Sequence, residues 1–226
     1  SHLNREEVNI MTLEDPVEYP LPIIRQTSIT ELSKVDFAGG VRSIMRQDPD
    51  IILVGEVRDR EAAEMAFRAA MTGHLVLTTL HTHSVLGVFP RLIDMGIRPA
   101  ILAGNIIAII AQRLVRRLCP HCKEAAAPDA QERAAFGDNV PELIHHPRGC
   151  AHCANEGYKG RFPLMETLLM DETLDEAVLR GATPRELTAL ASERGWRGLG
   201  EDGLDRVRAG DTSLAEVQRV VDLLRR

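Results

Sequence analysis

The sequence predicts an α/β protein: an open parallel sheet with crossover helices, followed by a small metal-held subdomain and a helical tail. Three observations carry that expectation. Two apolar runs, Ile51–Val54 and Leu75–Leu80, flank a helix-like segment, Arg60–Thr72, at the spacing of a strand–helix–strand crossover. Four cysteines fall into two C-x₂-C pairs, Cys119/Cys122 and Cys150/Cys153. From Leu168 to Leu224 apolar residues return at helical spacing, interrupted at Gly181, Gly195–Gly203 and Gly210-Asp211.

The elements follow in order. Val8–Leu13 reads as a strand ending in Glu14-Asp15-Pro16, where the prolines at 16 and 20 force extended or turn geometry. Asp36–Arg46 has helical spacing despite two glycines, and leads through Gln47-Asp48-Pro49-Asp50 into the strand Ile51–Val54. After Thr82, Val85–Met95 and Pro99–Leu118 read as helices, the second with proline in its first turn. The stretch Cys119–Gly160 has weak periodicity and scattered Pro, Gly and His. In the tail, Thr183 with Glu186 and Ser213 with Glu216 carry the spacing of capping boxes. Together these give three segments: 1–113 for the sheet core, 114–162 for the cysteine subdomain and 163–226 for the helical region.

Composition narrows the function. With 44% hydrophobic and 27% charged residues over 226, the chain can bury a sizeable core. A net charge of −6 argues against nucleic acid as the main ligand. The longest apolar run, Ala100–Ala111, is too short and too broken by Gly104 and Asn105 to span a bilayer, and no leader pattern opens the chain, so a cytoplasmic location is expected. In that compartment paired cysteines are metal ligands rather than disulfides. Two knuckles supply four thiolates, which complete a closed tetrahedral site for structural Zn²⁺ through Cys119, Cys122, Cys150 and Cys153. His121 and His152, inside the knuckles, are expected to be bystanders.

Polar residues gather where strands end, which is where an open α/β sheet builds its site. Glu56 follows four apolar residues, so its carboxylate could polarise an attacking water or hold Mg²⁺ through water. Glu14 and Asp15 end another apolar strand and could face the same cleft. Arg58 could neutralise phosphate charge, and His81, with Thr79 and Thr82 near it, could contact a terminal phosphate. His74 precedes its strand and suits a packed structural role almost as well. No G-x-x-x-x-G-K-[ST] occurs, so the loop that cradles the inner phosphates is not among these residues.

The longer strings resemble the secretion ATPases of type II secretion systems and type IV pilus assembly, in the RecA-like P-loop group. Asn9–Tyr19 (NIMTLEDPVEY) is similar to the family's aspartate box, Arg46–Asp59 (RQDPDIILVGEVRD) to its Walker B, and Thr72–Thr82 (TGHLVLTTLHT) to its histidine box. AQRLVRRLCPHC, GCAHC and GYKGR resemble its tetracysteine module. Where the family usually has Asn after the histidine-box threonine, this chain has His83, and Lys34-Val35 stand where a glycine is usual. The resemblance implies Glu56 as catalytic carboxylate, Glu14 and Asp15 as aspartate-box acids, and His74 and His81 as histidine-box residues. It implies ATP and Mg²⁺ as cofactors of the full-length protein, a homo-hexamer, and inner-membrane platform proteins as partners. The expected activity is ATP hydrolysis driving pseudopilus assembly and protein export, with type IV pilus assembly as the alternative. The chain is expected to be a C-terminal portion beginning past the P-loop, and by itself a non-catalytic, zinc-stabilised interaction module.

Overall fold

The computed structural model describes residues 3–29, 36–82 and 84–223; Lys34, Val35 and His83 lie outside them. The chain forms two compact units, one of Ser1–Ile107 with Leu169–Leu190, the other of Ala108–Leu168 with Ala191–Arg226. This division cuts across the three segments drawn from sequence. The first tail helix groups with the sheet, and the last two group with the cysteines.

The first unit is built on β1 (Ile10–Glu14), β2 (Arg25–Ser28), β3 (Ile51–Val54) and β4 (Leu75–Thr78), in the order β2-β1-β3-β4, with every neighbour parallel. Helices α1 (Phe37–Ile44) and α2 (Arg60–Met71) pack against each other and against the strands. Their side of the sheet is dry: Leu13, Val41, Ile52, Val54 and Ala69 are all essentially inaccessible. Each helix starts on an aspartate. Asp36 accepts the Gly39 N–H at 2.6 Å, and Asp59 accepts the Ala62 N–H at 2.8 Å, satisfying donors that a first helical turn leaves open. β4 is shorter than the run Leu75–Leu80, and Leu75 and Leu77 are exposed, because β4 lies at the edge of the sheet. β3, between two strands, is the buried one. Helices α3 (Val88–Asp94), α4 (Pro99–Leu102) and α6 (Glu172–Leu179) complete this unit, the last packing on α4.

The expected helix Pro99–Leu118 is the main correction. It ends at Leu102; Ala103 is extended, Gly104 takes φ +74°, and Asn105 Nδ2 donates to the Ile101 carbonyl at 2.9 Å. Residues Ala108–Leu118 are strand β5. Ala108, Ile110, Gln112 and Leu114 face outward while the residues between them are more buried, a period of two that the apolar run disguised. Its partner β8 (Tyr158–Leu169) was not anticipated either, although Phe162, Leu164, Glu166 and Leu168 alternate with exposed neighbours. The Met170 N–H bonds to the Ile107 carbonyl at one end, and the Cys119 N–H to Gly157 at the other, so the two strands run antiparallel.

Around this ribbon the second unit adds an antiparallel pair, β6 (Glu124–Ala126) with β7 (Ile144–His146), and helices α5 (Ala130–Phe136), α8 (Leu199–Arg208) and α9 (Leu214–Val220). Its core joins Val115, Phe136, Ile144, Phe162, Leu164, Leu204, Val207 and Val217. Helix α7 (Pro184–Glu193) opens with the expected box: Glu186 N–H donates to Thr183 Oγ1, and Thr183 N–H to Glu186 Oε2. The second expected box is only half made. Ser213 Oγ accepts the Glu216 N–H at 3.3 Å, but the Glu216 carboxylate turns inward. There it accepts from the Arg116 backbone N–H at 2.9 Å, from Arg116 Nη2 at 2.8 Å and from Arg219 Nη2 at 2.8 Å. Arg116 also lies 4.1 Å over the Tyr158 ring, and Tyr158 Oη meets Ser213 Oγ at 2.7 Å.

Two predictions follow from these contacts. A Cβ on Gly55 would sit 2.9 Å from the Leu13 carbonyl oxygen, so Gly55→Ala should separate β1 from β3 and cost about 1–3 kcal/mol. An unchanged urea midpoint would contradict that packing. Burial raises the Glu216 carboxyl, but the Arg219 and Arg116 bonds outweigh it and hold it at about 2 against an ordinary 4.5. A carboxyl depressed on folding stabilises the fold above its unfolded pKa, here by on the order of 3 kcal/mol, and loses that contribution as pH falls toward the folded value. Wild-type stability should therefore drop between pH 4.5 and 2 more steeply than that of Glu216→Gln, as read by urea midpoints across that window.

Candidate active site and metal centre

The register of the parallel sheet assembles the polar strand ends. Leu13 is paired with Val54, and Val54 with Thr78, so Glu14-Asp15, Gly55-Glu56 and Thr79 emerge side by side. Backbone bonds continue past the strands: the Gly55 N–H donates to the Leu13 carbonyl at 2.7 Å, and the Val57 N–H to Thr79 at 3.1 Å. Thr79 Oγ1 donates to the Gly55 carbonyl at 2.6 Å, which fixes the turn that carries Glu56.

Glu56 is the hub. One carboxylate oxygen pairs with Arg58, the other lies 3.5 Å from His81 Nε2, and Arg58 Nη1 reaches Asp15 at 3.3 Å. The Glu56 side chain is 15% exposed, whereas Arg58 is 61% and His81 89% exposed. A shielded carboxylate thus meets two cationic or potentially cationic groups on its solvent side. The Arg58 hydrogen bond holds its pKa below the usual carboxylate range against the opposing effect of burial, so it is anionic at neutral pH. Glu14 is held separately, accepting from Thr12 Oγ1 at 2.6 Å and from Gln26 Nε2 at 2.9 Å. All these acids border a groove of about 590 Å³ on the sheet face away from α1 and α2, with Thr12, Tyr19, Gln26 and Leu77 among its walls.

Of the residues singled out from sequence, Glu14, Asp15, Glu56, Arg58, Thr79 and His81 come together. Thr82 lies beyond them, with Oγ1 donating to the Ser84 carbonyl at 3.1 Å. His74 does not join them. It precedes β4 and so sits about 13 Å away, one strand length, at the opposite end of the sheet. Its Nδ1 is 2.9 Å from the Ala69 carbonyl and 3.1 Å from Thr72 Oγ1, capping the end of α2. Sequence alone does not single out Thr12 and Gln26, which position Glu14. Gln26 is on the short polar strand β2, which has no hydrophobic signature.

In the second unit Cys119, Cys122, Cys150 and Cys153 bring their sulfurs within 4.8 Å of one another. Closest separations are 4.0 Å for Cys119–Cys150 and 3.8 Å for both Cys122–Cys153 and Cys150–Cys153. A tetrahedral zinc with bonds of about 2.3 Å sets its sulfurs about 3.8 Å apart, so the donor set and its spacing fit such an ion. Burial pushes the Cys122 thiol up to about 12. Burial also opposes ionisation of Cys153, yet backbone N–H donors from Cys150 and Gly157 bring it down to about 7. His121 and His152 supply no ligand atom to this group; their rings stack on each other at 4.1 Å and 19° on the exposed side of the knuckles.

Comparison with known proteins identifies the family. The family described as type II/IV secretion system protein matches residues 1–219. The type II secretion system protein E of Dickeya dadantii is 44% identical over 220 residues, covering 97% of this chain and 44% of that protein. The type II secretion system ATPase E of Vibrio cholerae is 43% identical over 224 residues, covering 96% and 44%. The type IV pilus assembly ATPase TfpB of Acinetobacter baylyi is 42% identical over 225 residues, covering 98% and 38%. The chain therefore spans less than half the length of these curated relatives. Among solved structures, the pilus retraction motor PilT with bound ADP superposes with a TM-score of 0.71 at 24% identity, over 97% of this chain and 55% of that one. The Legionella pneumophila ATPase DotB superposes with a TM-score of 0.64 at 25% identity, over 94% and 51%. The fold is thus that of the RecA-like P-loop ATPases, and a family match that runs through the acids, the histidines and the cysteine knuckles alike makes this chain a member of the type II/IV secretion system protein family.

Proposed function

We propose that this chain carries the carboxylate-and-histidine half of the ATP-hydrolysing core of a type II secretion ATPase. The observation that carries the reading is the convergence of Asp15, Glu56, Arg58 and His81 at the C-terminal ends of adjacent parallel strands. Glu56, kept anionic by Arg58, orients the attacking water and takes its proton. Asp15 and Glu14 would hold a divalent cation that neutralises phosphate charge, with Gln26 and Thr12 fixing Glu14. Arg58 and His81, both largely exposed, face incoming phosphate oxygens. Bound ATP and Mg²⁺ would supply the scissile anhydride and neutralise its charge. His74 takes no part in this step and serves as a helix cap. The grip on the inner phosphates is assigned to a P-loop outside these 226 residues; the relative from Dickeya dadantii has more than half its length outside the matched region.

In the whole protein we assign these residues to a homo-hexamer on the cytoplasmic side of the inner membrane. There it would act on platform proteins to drive pseudopilus assembly and export. No helix among the described residues is long and apolar enough to cross a membrane, which suits a peripheral motor. The relative from Acinetobacter baylyi, named as a type IV pilus assembly ATPase, supports pilus assembly as the second reading. The cysteine group is assigned a structural Zn²⁺, whose binding free energy would hold the weakly patterned stretch Cys119–Gly160.

In the whole protein, Glu56→Gln should lower phosphate release about a hundredfold or more while leaving nucleotide binding intact. Turnover near the wild-type rate would sink the assigned role. This chain alone should release no phosphate above background. Elemental analysis should find about one zinc per chain, and chelation should expose amides mainly within Cys119–Gly160 by hydrogen exchange. Freshly purified protein without bound metal would overturn the zinc assignment.

A further inference from the structure

Glu56 is held through its neighbours in the chain. Thr79 Oγ1 donates to the Gly55 carbonyl at 2.6 Å, and the Thr79 carbonyl accepts the Val57 N–H at 3.1 Å. A single residue therefore bonds to the residues on both sides of Glu56. β3 has ended at Val54 and β4 at Thr78, so these bonds carry their slanted parallel pairing one step further. The first of them does so through a hydroxyl. Across the turn, the Gly55 N–H donates to the Leu13 carbonyl at 2.7 Å, and the Val57 side chain is buried. The backbone under Glu56 is thus fixed both from β1 and from the end of β4. The partners of its carboxylate, Arg58 and His81, stand in solvent, so the backbone decides where the carboxylate points.

Thr79 is exposed and lines the groove with Glu56, which gives its hydroxyl two possible roles. It could bind an incoming phosphate or cation, or it could set the place of the carboxylate. Phosphate oxygens need a donor, and a hydroxyl has one proton, here committed to the Gly55 carbonyl. We propose that Thr79 is a positioning residue for hydrolysis, setting Glu56 against the attacking water and in register with His81, two residues further along. This rests on the role given to Glu56 above.

A general base acts only within hydrogen-bond reach of its water, and a displacement of about 1 Å can lower a rate about a hundredfold. Nucleotide binding makes no such demand on the carboxylate. The bond to Gly55 faces the groove, where water can take the place of a lost hydroxyl. Removing the hydroxyl therefore loosens the turn without unfolding the sheet, and the effect falls on the chemical step.

The test uses the whole protein and three substitutions. Thr79→Val keeps the shape and the backbone carbonyl but loses the hydroxyl; Thr79→Ala also loses it, and Thr79→Ser keeps it. The valine and alanine variants should lower kcat at least about tenfold, with KM for ATP within about twofold of wild type. Thr79→Ser should keep more than about half of kcat. In a Glu56→Gln background, Thr79→Val should cost less than about twofold, because no base is left to place. A wild-type kcat without the hydroxyl, or a tenfold loss that persists in the Glu56→Gln background, would overturn the proposal. So would a raised KM with kcat kept, which would point to a phosphate or cation contact. Turnover by Glu56→Gln alone near the wild-type rate would overturn the reading of Glu56 itself, so the two failures are told apart.

Discussion

The parallel, in-register pairing of Ile10–Glu14 with Ile51–Val54 is the constraint on which the first unit depends. Because both strands run the same way, their acidic ends leave the sheet together. Because the Leu13 carbonyl accepts the Gly55 N–H at 2.7 Å, the backbones stay close one residue beyond the strand. Only a residue without a side chain tolerates that approach, so glycine precedes the carboxylate of Glu56. A slip of one residue along β3 would turn Ile52 and Val54 to the groove and Leu53 to the helix-covered face, and would carry the acids out of line. The dry side formed by Leu13, Ile52 and Val54 against α1 and α2 makes that slip expensive, and so the packing that stabilises the sheet also aims the acids.

Two carboxylates in this chain illustrate how the same ion-pair chemistry serves opposite ends. Glu216 is inaccessible and accepts from two arginines and a backbone N–H, an arrangement that cannot open without stranding a buried charge. It fastens β5 to α9. Glu56 also pairs with an arginine, but Arg58 and His81 stand in solvent and can exchange partners at little cost. An arriving polyanion would compete with Glu56 and Asp15 for the guanidinium, and the carboxylates would then be free for water or a cation. The difference lies in burial rather than in residue type.

The sheet unit was legible in sequence because its signals are local. Ile51–Val54 is a run of buried β-formers between turn residues, and Asp36 and Asp59 stand at helix starts. The acids and His81 follow strands whose direction the crossover rule fixes. What could not be read depends on pairing at a distance. Ala108–Leu118 reads as a helix in sequence because alanine, isoleucine and leucine at close spacing satisfy either period, and only its partner Tyr158–Leu169 decides between them. Glu216 has the position of a capping-box acid, and nothing nearby in sequence announces Arg116, a hundred residues earlier. Gln26 belongs to a strand of Arg, Gln, Thr and Ser, which forms because β1 offers an edge rather than because of its own propensity. His74 and His81 lie close in sequence, yet strand direction puts them at opposite ends of β4.

The cysteine knuckles show why a short stretch can be structured with so little apolar material. Between Cys119 and Gly160, the side chains that join the second unit's core are few, chiefly Phe136 and Ile144. Elsewhere the backbone passes through tight left-handed turns at Gly149, Ala154, Asn155 and Gly157, conformations that burial alone would not hold. The turns place N–H donors against Cys122 and Cys153, so the strained backbone and the sulfur cluster support each other. A cation at the centre would stabilise four thiolates and, through them, those turns, doing the work that a hydrophobic core does around β5.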